Sequence, residues 1–316
     1  MVLVTGASGF IGNHLCTFLG SYGCDVRAVS RGGVSSHFLE NINQRSIDNI
    51  DNNTQWKSVL KDVDCIVHLA GRVHIINEYA EDSLSEFRKA NVEETLRLAE
   101  HAATAGVRRF IYLSSIKVNG EEARKDRPFS ADDIPEPIGP YAVSKYEAEQ
   151  ALLKLGMATG MEIVIIRPPL VYGPGVKANF KTMMKWLSKR IPLPLGAISN
   201  LRSFVGINNL MNFVFVCMSH PAAAGQVFLV ADDEDISTPV LLKRLSGALG
   251  VSSRLFSIPL PLLKFIFTLL GKQKIYQRLT GSLCIDITKN KDLLGWWPSH
   301  DVSSMLKDTA DEFLKK

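Results

Sequence analysis

Apolar residues along the first half of the chain follow two alternating patterns. Short runs rich in apolar residues occupy positions 2–5, 25–30, 64–70, 109–114 and 162–167. Between these runs, apolar positions recur at helical spacing, as where Ile11, Leu15 and Leu19 precede Gly23. Apolar strands that each lead into a helix are typical of a parallel sheet covered on both faces. The pattern predicts an α/β fold with a doubly wound parallel sheet and right-handed crossovers.

The second half of the chain is more irregular. Proline and glycine punctuate residues 168–196, and shorter periodic segments follow. We predict helices near 179–189, 238–249, 260–270 and 289–294, and a strand over 227–231. The whole pattern predicts a doubly wound domain over residues 1–168 and a smaller, irregular region over 169–316. About residues 203–235 are expected to return to the first domain.

The most apolar segment covers residues 258–270. It is shorter than the roughly 20 residues that span a membrane, and Lys264 interrupts it, so we expect no transmembrane segment. A helix that is apolar on nearly every side is most often buried, which is our expectation here. A subunit contact and peripheral attachment to a membrane are the alternatives.

Composition and charge exclude several classes of protein. Of 316 residues, 46% are hydrophobic and 22% charged, which is ordinary for a globular protein. The 36 basic and 32 acidic residues leave a net charge of +4 without a long run of either sign, so we expect no nucleic-acid binding. Five cysteines lack the spacing of a disulfide framework or a zinc site, and the sequence at Met1 has no leader pattern. We expect a protein of the reducing cytoplasm that holds no metal.

A glycine-rich turn, TGASGFIG, joins the first strand to the first helix. It contains Gly6, Gly9 and Gly12, with Phe10 and Ile11 opening the helix. Glycines at such a turn let the backbone approach a pyrophosphate, which meets the free N–H groups at the helix start. A glycine triplet alone is weak evidence, but a preceding strand and a following helix are the context that dinucleotide binding requires. We therefore expect these five residues to bind a dinucleotide cofactor.

The end of the second strand bears on the choice of cofactor. Enzymes that use NAD commonly place an acidic residue there, where it bonds the ribose 2′-hydroxyl. This strand ends in Ser30 and Arg31 instead. A hydroxyl beside a guanidinium suits a 2′-phosphate, so NADP(H) is favoured over NAD(H). An exposed arginine with no ligand is the alternative.

Tyr141 and Lys145 stand four residues apart in the sequence YAVSK, on one face of the helix predicted over 141–155. A lysine cation near a tyrosine favours the phenolate, which helps a phenol of ordinary pKa, about 10, to exchange protons at neutral pH. Ser115 follows the apolar run of 109–114, at the strand end where doubly wound folds bind ligands. We expect these three residues to be catalytic, with Lys145 also able to hold the nicotinamide ribose.

These motifs resemble those of the extended short-chain dehydrogenase/reductases, the NAD-dependent epimerase/dehydratase family. Besides TGASGFIG and YAVSK, YLSSIKVNG is similar to the family's YxSSxxVYG, RPPLVYGPG to its RPxxVYGPG, and HLAG to its loop along the cofactor. The resemblance covers nearly the whole chain and maps the catalytic hydroxyl onto Ser115. It implies cofactor contacts from Asn49, Ile50, Leu69, Ala70, Gly71, Asn91, Tyr141, Lys145 and Pro168. It implies substrate contacts from Ser115, Tyr141, Asn179 and Arg202.

The chain departs from the family pattern at two places. Asn119 replaces the tyrosine of VYG, and Asn49 stands before Ile50 where many members have aspartate. These departures affect the expected contacts to the sugar and to the adenine. His68 lies within an apolar run, and we interpret it as a packed, hydrogen-bonded core residue rather than as a catalyst.

The resemblance implies an NAD(P)-dependent enzyme acting on a nucleotide sugar, with homodimers common in the family. The favoured activity is reduction of the 4-keto group of a UDP-linked sugar or amino sugar, with Tyr141 as the proton donor. The alternative is a UDP-glucose or UDP-N-acetylhexosamine 4-epimerase with tightly bound NAD. A catalytically silent NADP-binding protein is the third hypothesis, and a reductase of small lipophilic ketones is a further one.

Overall fold

The computed structural model of the chain describes residues 1–31, 42–46, 56–73, 83–123 and 126–315. Its strands are β1 (Val2–Thr5), β2 (Val26–Ser30), β3 (Ile42–Ser46), β4 (Cys65–His68), β5 (Arg109–Leu113), β6 (Glu162–Arg167), β7 (Leu170–Tyr172), β8 (Phe204–Gly206) and β9 (Val227–Leu229). Seven of them form one sheet in the order β3-β2-β1-β4-β5-β6-β9, and every neighbouring pair is parallel. β7 and β8 form a second, two-stranded parallel sheet. This topology confirms the predicted doubly wound α/β fold.

Helices cover both faces of the main sheet. They are α1 (Phe10–Ser21), α2 (Trp56–Val59), α3 (Ser83–Arg88), α4 (Glu94–Thr104), α5 (Pro140–Thr159), α6 (Ala178–Ser188), α7 (Ile207–Ser219), α8 (Thr238–Ala248), α9 (Leu260–Leu269), α10 (Gln273–Thr280), α11 (Thr288–Leu294) and α12 (Val302–Leu314). A π-helical segment, Lys89–Glu93, joins α3 to α4 without a break.

Alternate residues of each central strand face opposite layers of the core. On β1, Val4 belongs to the cluster that includes α1 and α7, whereas Leu3 belongs to the cluster that includes α4 and α5. Ile111 and Phe110 divide in the same way on β5. Since both faces of these strands are buried, their sequences read as nearly continuous apolar runs, which is why the pattern of the first half identified them.

The edge strand β3 did not follow from the pattern. Its sequence, INQRS, is polar, and within it only Ile42 is buried. An edge strand with a wet face carries little apolar signal, because its backbone pairing with β2 is what defines it. The opposite edge is β9, which pairs with β6 and lies inside the segment that was expected to return to the first domain.

The apolar segment at residues 258–270 departs from expectation. It forms α9 and the turn after it, and within α9 only Leu263 is buried. Phe265, Leu269 and Leu270 are 59%, 71% and 62% exposed. The expected buried helix is therefore wrong, since only one side of α9 packs on the body of the protein. Within the described ranges, the helices fall short of the length and apolar character needed to traverse a bilayer.

Candidate active site

The predicted catalytic residues lie at the carboxyl edge of the main sheet. Ser115 follows β5 and begins the short 3₁₀ turn Ile116–Val118. Tyr141 is the second residue of α5, which starts at Pro140 after Gly139 in the left-handed conformation, φ 84°. Proline at the first helical position sets where α5 begins and thus where the Tyr141 side chain projects.

The Tyr141 phenol lies close enough to the Ser115 side chain for that hydroxyl to act on its pKa, and its ring packs edge-on against Phe87 with centroids 5.9 Å apart. Burial raises the pKa of Tyr141 to about 12, and the hydrogen bond with Ser115 acts in the opposite direction. The expectation that Lys145 lowers this pKa below its ordinary value is wrong for this geometry, because burial raises the pKa and the Lys145 ammonium is bound to the Leu113 carbonyl instead. Tyr141 therefore keeps its proton at neutral pH and can donate it.

Lys145 is buried one turn further along α5. Its ammonium donates to the carbonyl oxygen of Leu113 at 3.0 Å and lies 4.5 Å from the centroid of the Tyr112 ring. Burial lowers the pKa of Lys145 to about 8, and Glu149 acts to raise it. A Cβ at Gly71 would lie 3.3 Å from this ammonium. The loop after β4 thus passes directly beside Lys145.

A buried ionic network lies behind these residues. Glu149 and Arg167 are almost fully buried and form a salt bridge with an N–O distance of 2.5 Å. The Ser114 hydroxyl donates to Glu149, and Arg167 also donates to Asn119 Oδ1 at 2.9 Å. Asn119 in turn donates to the carbonyl of Ser130 at 2.9 Å. The network joins the ends of β5 and β6 to α5, which fixes the helix that carries Tyr141 and Lys145.

Sequence analysis missed this network. Glu149 lies four residues after Lys145 and eight after Tyr141, on the same helical face. That spacing was the available signal, because a carboxylate on a face that points to the sheet needs a buried cation. Arg167, the last residue of β6, is that cation.

The glycine turn fits a dinucleotide. At Gly6 φ is 67°, and a Cβ there would lie 2.8 Å from the backbone nitrogen of Ala70. A Cβ at Gly12 would overlap the carbonyl oxygen of Gly6. α1 begins after Gly9, and its first turn carries neither a side-chain cap from the described residues nor an acidic residue. Its backbone N–H groups therefore remain for a phosphate, and the positive end of the helix favours one.

The loop Leu69–Gly71 is fixed from the interior of the protein. Asn91, in the π-helical segment, accepts from the Arg72 backbone nitrogen at 2.7 Å and donates to the Arg72 carbonyl at 3.1 Å. It also donates to the Ser144 hydroxyl at 3.0 Å. Asn91 thus ties this loop to α5, and π-helical segments are frequent at functional sites.

His68 is the packed core histidine that the sequence suggested. Its Nδ1 lies 2.7 Å from Thr5 Oγ1, and its Nε2 lies 3.0 Å from Thr95 Oγ1. Burial lowers the pKa of His68 to about 3, and the nearby Lys145 acts in the same direction. The imidazole is therefore neutral at ordinary pH and joins β1, β4 and α4.

Other predicted cofactor residues lie along the same edge. Ser30 ends β2, and Arg31 follows it with an exposed side chain. Pro168 follows β6, and its carbonyl accepts a backbone N–H from the 3₁₀ turn after β5 at 3.0 Å. Asn49 and Ile50 lie outside the residues that the structure describes.

The two predicted phosphate-binding residues of the second half have different surroundings. Asn179 is exposed in the first turn of α6. Arg202 donates to the carbonyls of Arg278 and Gly281 at 3.2 and 3.0 Å, and burial lowers its pKa. Arg202 therefore holds the carboxyl end of α10, and contact of either residue with a substrate stays a prediction.

The chain is similar to known proteins in sequence and in fold. The sequence model of the family described as "NAD dependent epimerase/dehydratase family" matches residues 2–231. The chain is 40% identical over 318 residues to a UDP-glucose 4-epimerase of Vibrio cholerae, with 99% of this chain and 95% of that protein covered. It is 24% identical over 315 residues to a GDP-6-deoxy-D-mannose reductase of Pseudomonas aeruginosa, covering 97% and 94%. Among solved structures, MoeE5 in complex with UDP-glucuronic acid and NAD has the same fold, with a TM-score of 0.79, 24% identity and 99% of both chains covered.

Proposed function

The chain belongs to the NAD dependent epimerase/dehydratase family and is an NAD(P)-dependent nucleotide-sugar enzyme; on that premise, we propose that it is a 4-epimerase of UDP-linked hexoses. The observation that carries the proposal is the Tyr141–Ser115 hydroxyl pair with Lys145 one helical turn away. The motifs alone placed 4-keto reduction first, and the relative of 40% identity reverses that order here.

In this proposal, Tyr141 exchanges a proton with the C4 hydroxyl of the sugar, and Ser115 bonds the same oxygen. Lys145 holds the nicotinamide ribose and contributes a positive charge to the pocket. The nicotinamide ring, when bound, supplies the hydride chemistry at C4. An epimerase runs this exchange in both directions, so the phenol has to lose and regain its proton within one turnover.

The cofactor would lie along the edge formed by the glycine turn, the loop Leu69–Gly71 and Pro168. Its diphosphate would meet the start of α1 at Gly9. We propose that the substrate lies between this edge and the region after residue 168, with Asn179 and Arg202 on its diphosphate. The backbone fit at Gly6 and the position of Gly71 beside Lys145 support this arrangement.

A net 4-keto reductase that uses NADPH is the second candidate, because Ser30 and Arg31 stand at the end of β2. An exposed guanidinium at that position suits a 2′-phosphate, which a reductase that exchanges its cofactor in every turnover would recognise. In that case the enzyme consumes NADPH, whereas an epimerase holds NAD and returns it unchanged.

One experiment separates the two candidates. The purified full chain is denatured, its released nucleotide is identified by mass spectrometry, and a second aliquot receives UDP-glucose with no added cofactor. We expect the released nucleotide to be NAD and the second aliquot to form UDP-galactose. The Tyr141→Phe variant should still release NAD but should form no UDP-galactose. Failure to interconvert the two sugars, with stoichiometric oxidation of added NADPH by a UDP-4-keto-sugar, would establish the reductase instead.

A further inference from the structure

Two short helices of the second half carry a group of large exposed apolar side chains. α9 and α10 form a helical hairpin, residues 256–280, in which Phe267 and Tyr276 pack ring against ring with centroids 6.1 Å apart. On α9, four exposed side chains stand at positions i, i+3, i+4 and i+7, which places them on one helical face. This apolar stripe consists of Leu262, Phe265, Ile266 and Leu269.

The hairpin is fixed to the body on the opposite side. Leu263 is buried in the main core, and the carboxyl end of α10 is held by side chains from the substrate region. Arg202 donates to the Gly281 carbonyl at 3.0 Å, and Thr238 donates to the Leu279 carbonyl at 2.7 Å. The stripe is therefore presented outwards by a supported element.

Charge distinguishes this hairpin from the rest of the chain. Residues 251–285 contain five basic residues and no acidic one, although the chain as a whole has 36 basic and 32 acidic residues. The five are Arg254, Lys264, Lys272, Lys274 and Arg278. On α10, the exposed Ile275 lies one turn from both Lys272 and Arg278. Apolar and basic side chains thus occupy the same exposed surface.

We propose that the α9–α10 hairpin docks on the surface of an anionic phospholipid bilayer. The apolar stripe enters the boundary between headgroups and acyl chains, and the exposed Lys272 and Arg278 lie against the lipid phosphates. A short helix with an apolar face and basic neighbours is the pattern that binds membranes in this way. Only one face of the hairpin enters the bilayer, because neither helix is long enough to cross it.

Charge favours a lipid surface over a second copy of the chain. A two-fold contact between copies places the same patch on both sides of the interface. Two hairpins would then bring ten basic residues together with no acidic residue from either segment, which opposes association. An anionic bilayer instead presents opposite charge to the exposed Lys272 and Arg278.

A cavity lies beside the hairpin. Gln277 of α10 lines a cavity of about 380 Å³ together with Asn119 and Ile138. Asn119 belongs to the buried ionic network, and Ile138 precedes Tyr141 by three residues. Glu121, Glu122 and Glu136 also line this cavity, so it is an acidic surface beside the basic hairpin.

The test is co-sedimentation of the full chain with vesicles of phosphatidylcholine containing phosphatidylglycerol, compared with vesicles of phosphatidylcholine alone. One variant changes the stripe, Phe265→Gln with Leu269→Gln, and another changes the charge, Lys272→Glu with Arg278→Glu. The matched controls are Met157→Gln, at a side chain 83% exposed on α5, and Lys57→Glu with Lys61→Glu, at exposed lysines of the sheet half. All changed side chains are exposed, and thermal unfolding of each variant checks that it is folded.

We expect the wild type and both controls to bind the anionic vesicles and to be released by salt. Each hairpin variant should lower the partition coefficient about tenfold or more. Equal binding of wild type and hairpin variants, or no binding of the wild type, would overturn the proposal. So would a wild-type dimer in light scattering that the stripe variant dissociates while no form binds vesicles, because the stripe would then join two copies.

Discussion

The strand ends of the main sheet and the α9–α10 hairpin depart from the usual distribution of polar and apolar residues in opposite directions. At the strand ends, His68, Lys145, Glu149 and Arg167 are all buried. On the hairpin, large apolar side chains such as Leu269 are exposed. Ordinary globular surfaces and cores show neither arrangement as a rule. Both departures cost free energy, which indicates that each region has a task other than stabilising the fold.

The two regions also differ in how their polar groups are balanced. The buried carboxylate and imidazole at the strand ends have specific partners, since Glu149 pairs with Arg167 and His68 contacts two threonines. The basic residues of the hairpin have no acidic residue within their own segment. Internal partners produce a rigid site with preset protonation states, whereas a surplus of one charge favours an external partner. Four predictions test this contrast.

The most severe way to disrupt the strand-end site is to remove the phenol of Tyr141. Tyr141→Phe removes the proton-transfer group while keeping the ring that packs against Phe87. General acid–base help is typically worth about 10²–10⁴-fold, so we expect kcat to fall by that factor in steady-state assays. Retention of the dinucleotide should be unchanged.

Tyr146→Phe is the matched control for this substitution, because Tyr146 lies on the same helix outside the Tyr141–Ser115 pair. It should retain the kcat of the wild type. A Tyr141→Phe enzyme within threefold of the wild type would remove Tyr141 from the mechanism.

Breaking the buried ion pair should lower the stability of the fold and not only the rate of catalysis. Arg167→Met leaves the Glu149 carboxylate buried without its cation, and removal of one partner of a buried pair costs about 3–5 kcal/mol. We expect that loss in the free energy of urea unfolding. The control is Arg88→Met, which breaks an exposed pair with Glu147 of similar N–O distance, 2.6 Å, and should leave unfolding nearly unchanged.

A double variant sharpens the comparison. Adding Glu149→Gln to Arg167→Met removes the unpaired charge, so much of the lost stability should return. If Arg88→Met and Arg167→Met destabilise equally, burial does not control the strength of these pairs and the contrast between the two regions fails.

Much of the strand-end site could be predicted from the sequence, because its residues belong to short local motifs. Gly6, Tyr141 and Lys145 are tied to short motifs whose spacing determines their geometry. The Glu149–Arg167 pair joins residues 18 positions apart on different elements, and no local pattern specifies which buried cation a carboxylate meets. The raised pKa of Tyr141 was missed for a related reason, because its burial comes from residues such as Phe87 that the fold brings together.

The exposure of the hairpin could not be predicted from the sequence. Apolar content at residues 258–270 predicted the helix correctly but not its exposure, because periodicity shows which residues share a face and not what covers that face. β3 was missed since its sequence is polar and it is defined by pairing with β2. In both cases the deciding contact lies outside the segment itself.

The buried imidazole of His68 should make the sheet half sensitive to acid. Its pKa is about 3 in the folded protein and about 6.5 when unfolded, so the unfolded chain binds the extra proton between these values. Stability is therefore lost as pH falls below about 6.5. Between pH 7 and 5 this one group should remove about 2 kcal/mol from the free energy of unfolding. Urea titrations at both pH values measure it.

His68→Gln keeps a hydrogen-bonding side chain but does not titrate, so its stability should change less over the same interval. Replacing the exposed His101 on α4 the same way is the control and should retain the wild-type dependence. Identical pH dependence in wild type and His68→Gln would mean that His68 is not the buried neutral group that the structure indicates.

The smallest expected effect tests whether the stripe on α9 contributes to the fold at all. Leu269 is 71% exposed, whereas Leu263 on the same helix is 1% exposed. Leu269→Gln should change the free energy of unfolding by no more than about 0.5 kcal/mol, because little apolar surface is lost from a packed environment. Leu263→Ala should cost about 2–5 kcal/mol, since it leaves a cavity in the core. Urea unfolding of both variants measures the difference. Comparable losses of unfolding free energy would show that the stripe is part of the core, and the hairpin would then have no free apolar face.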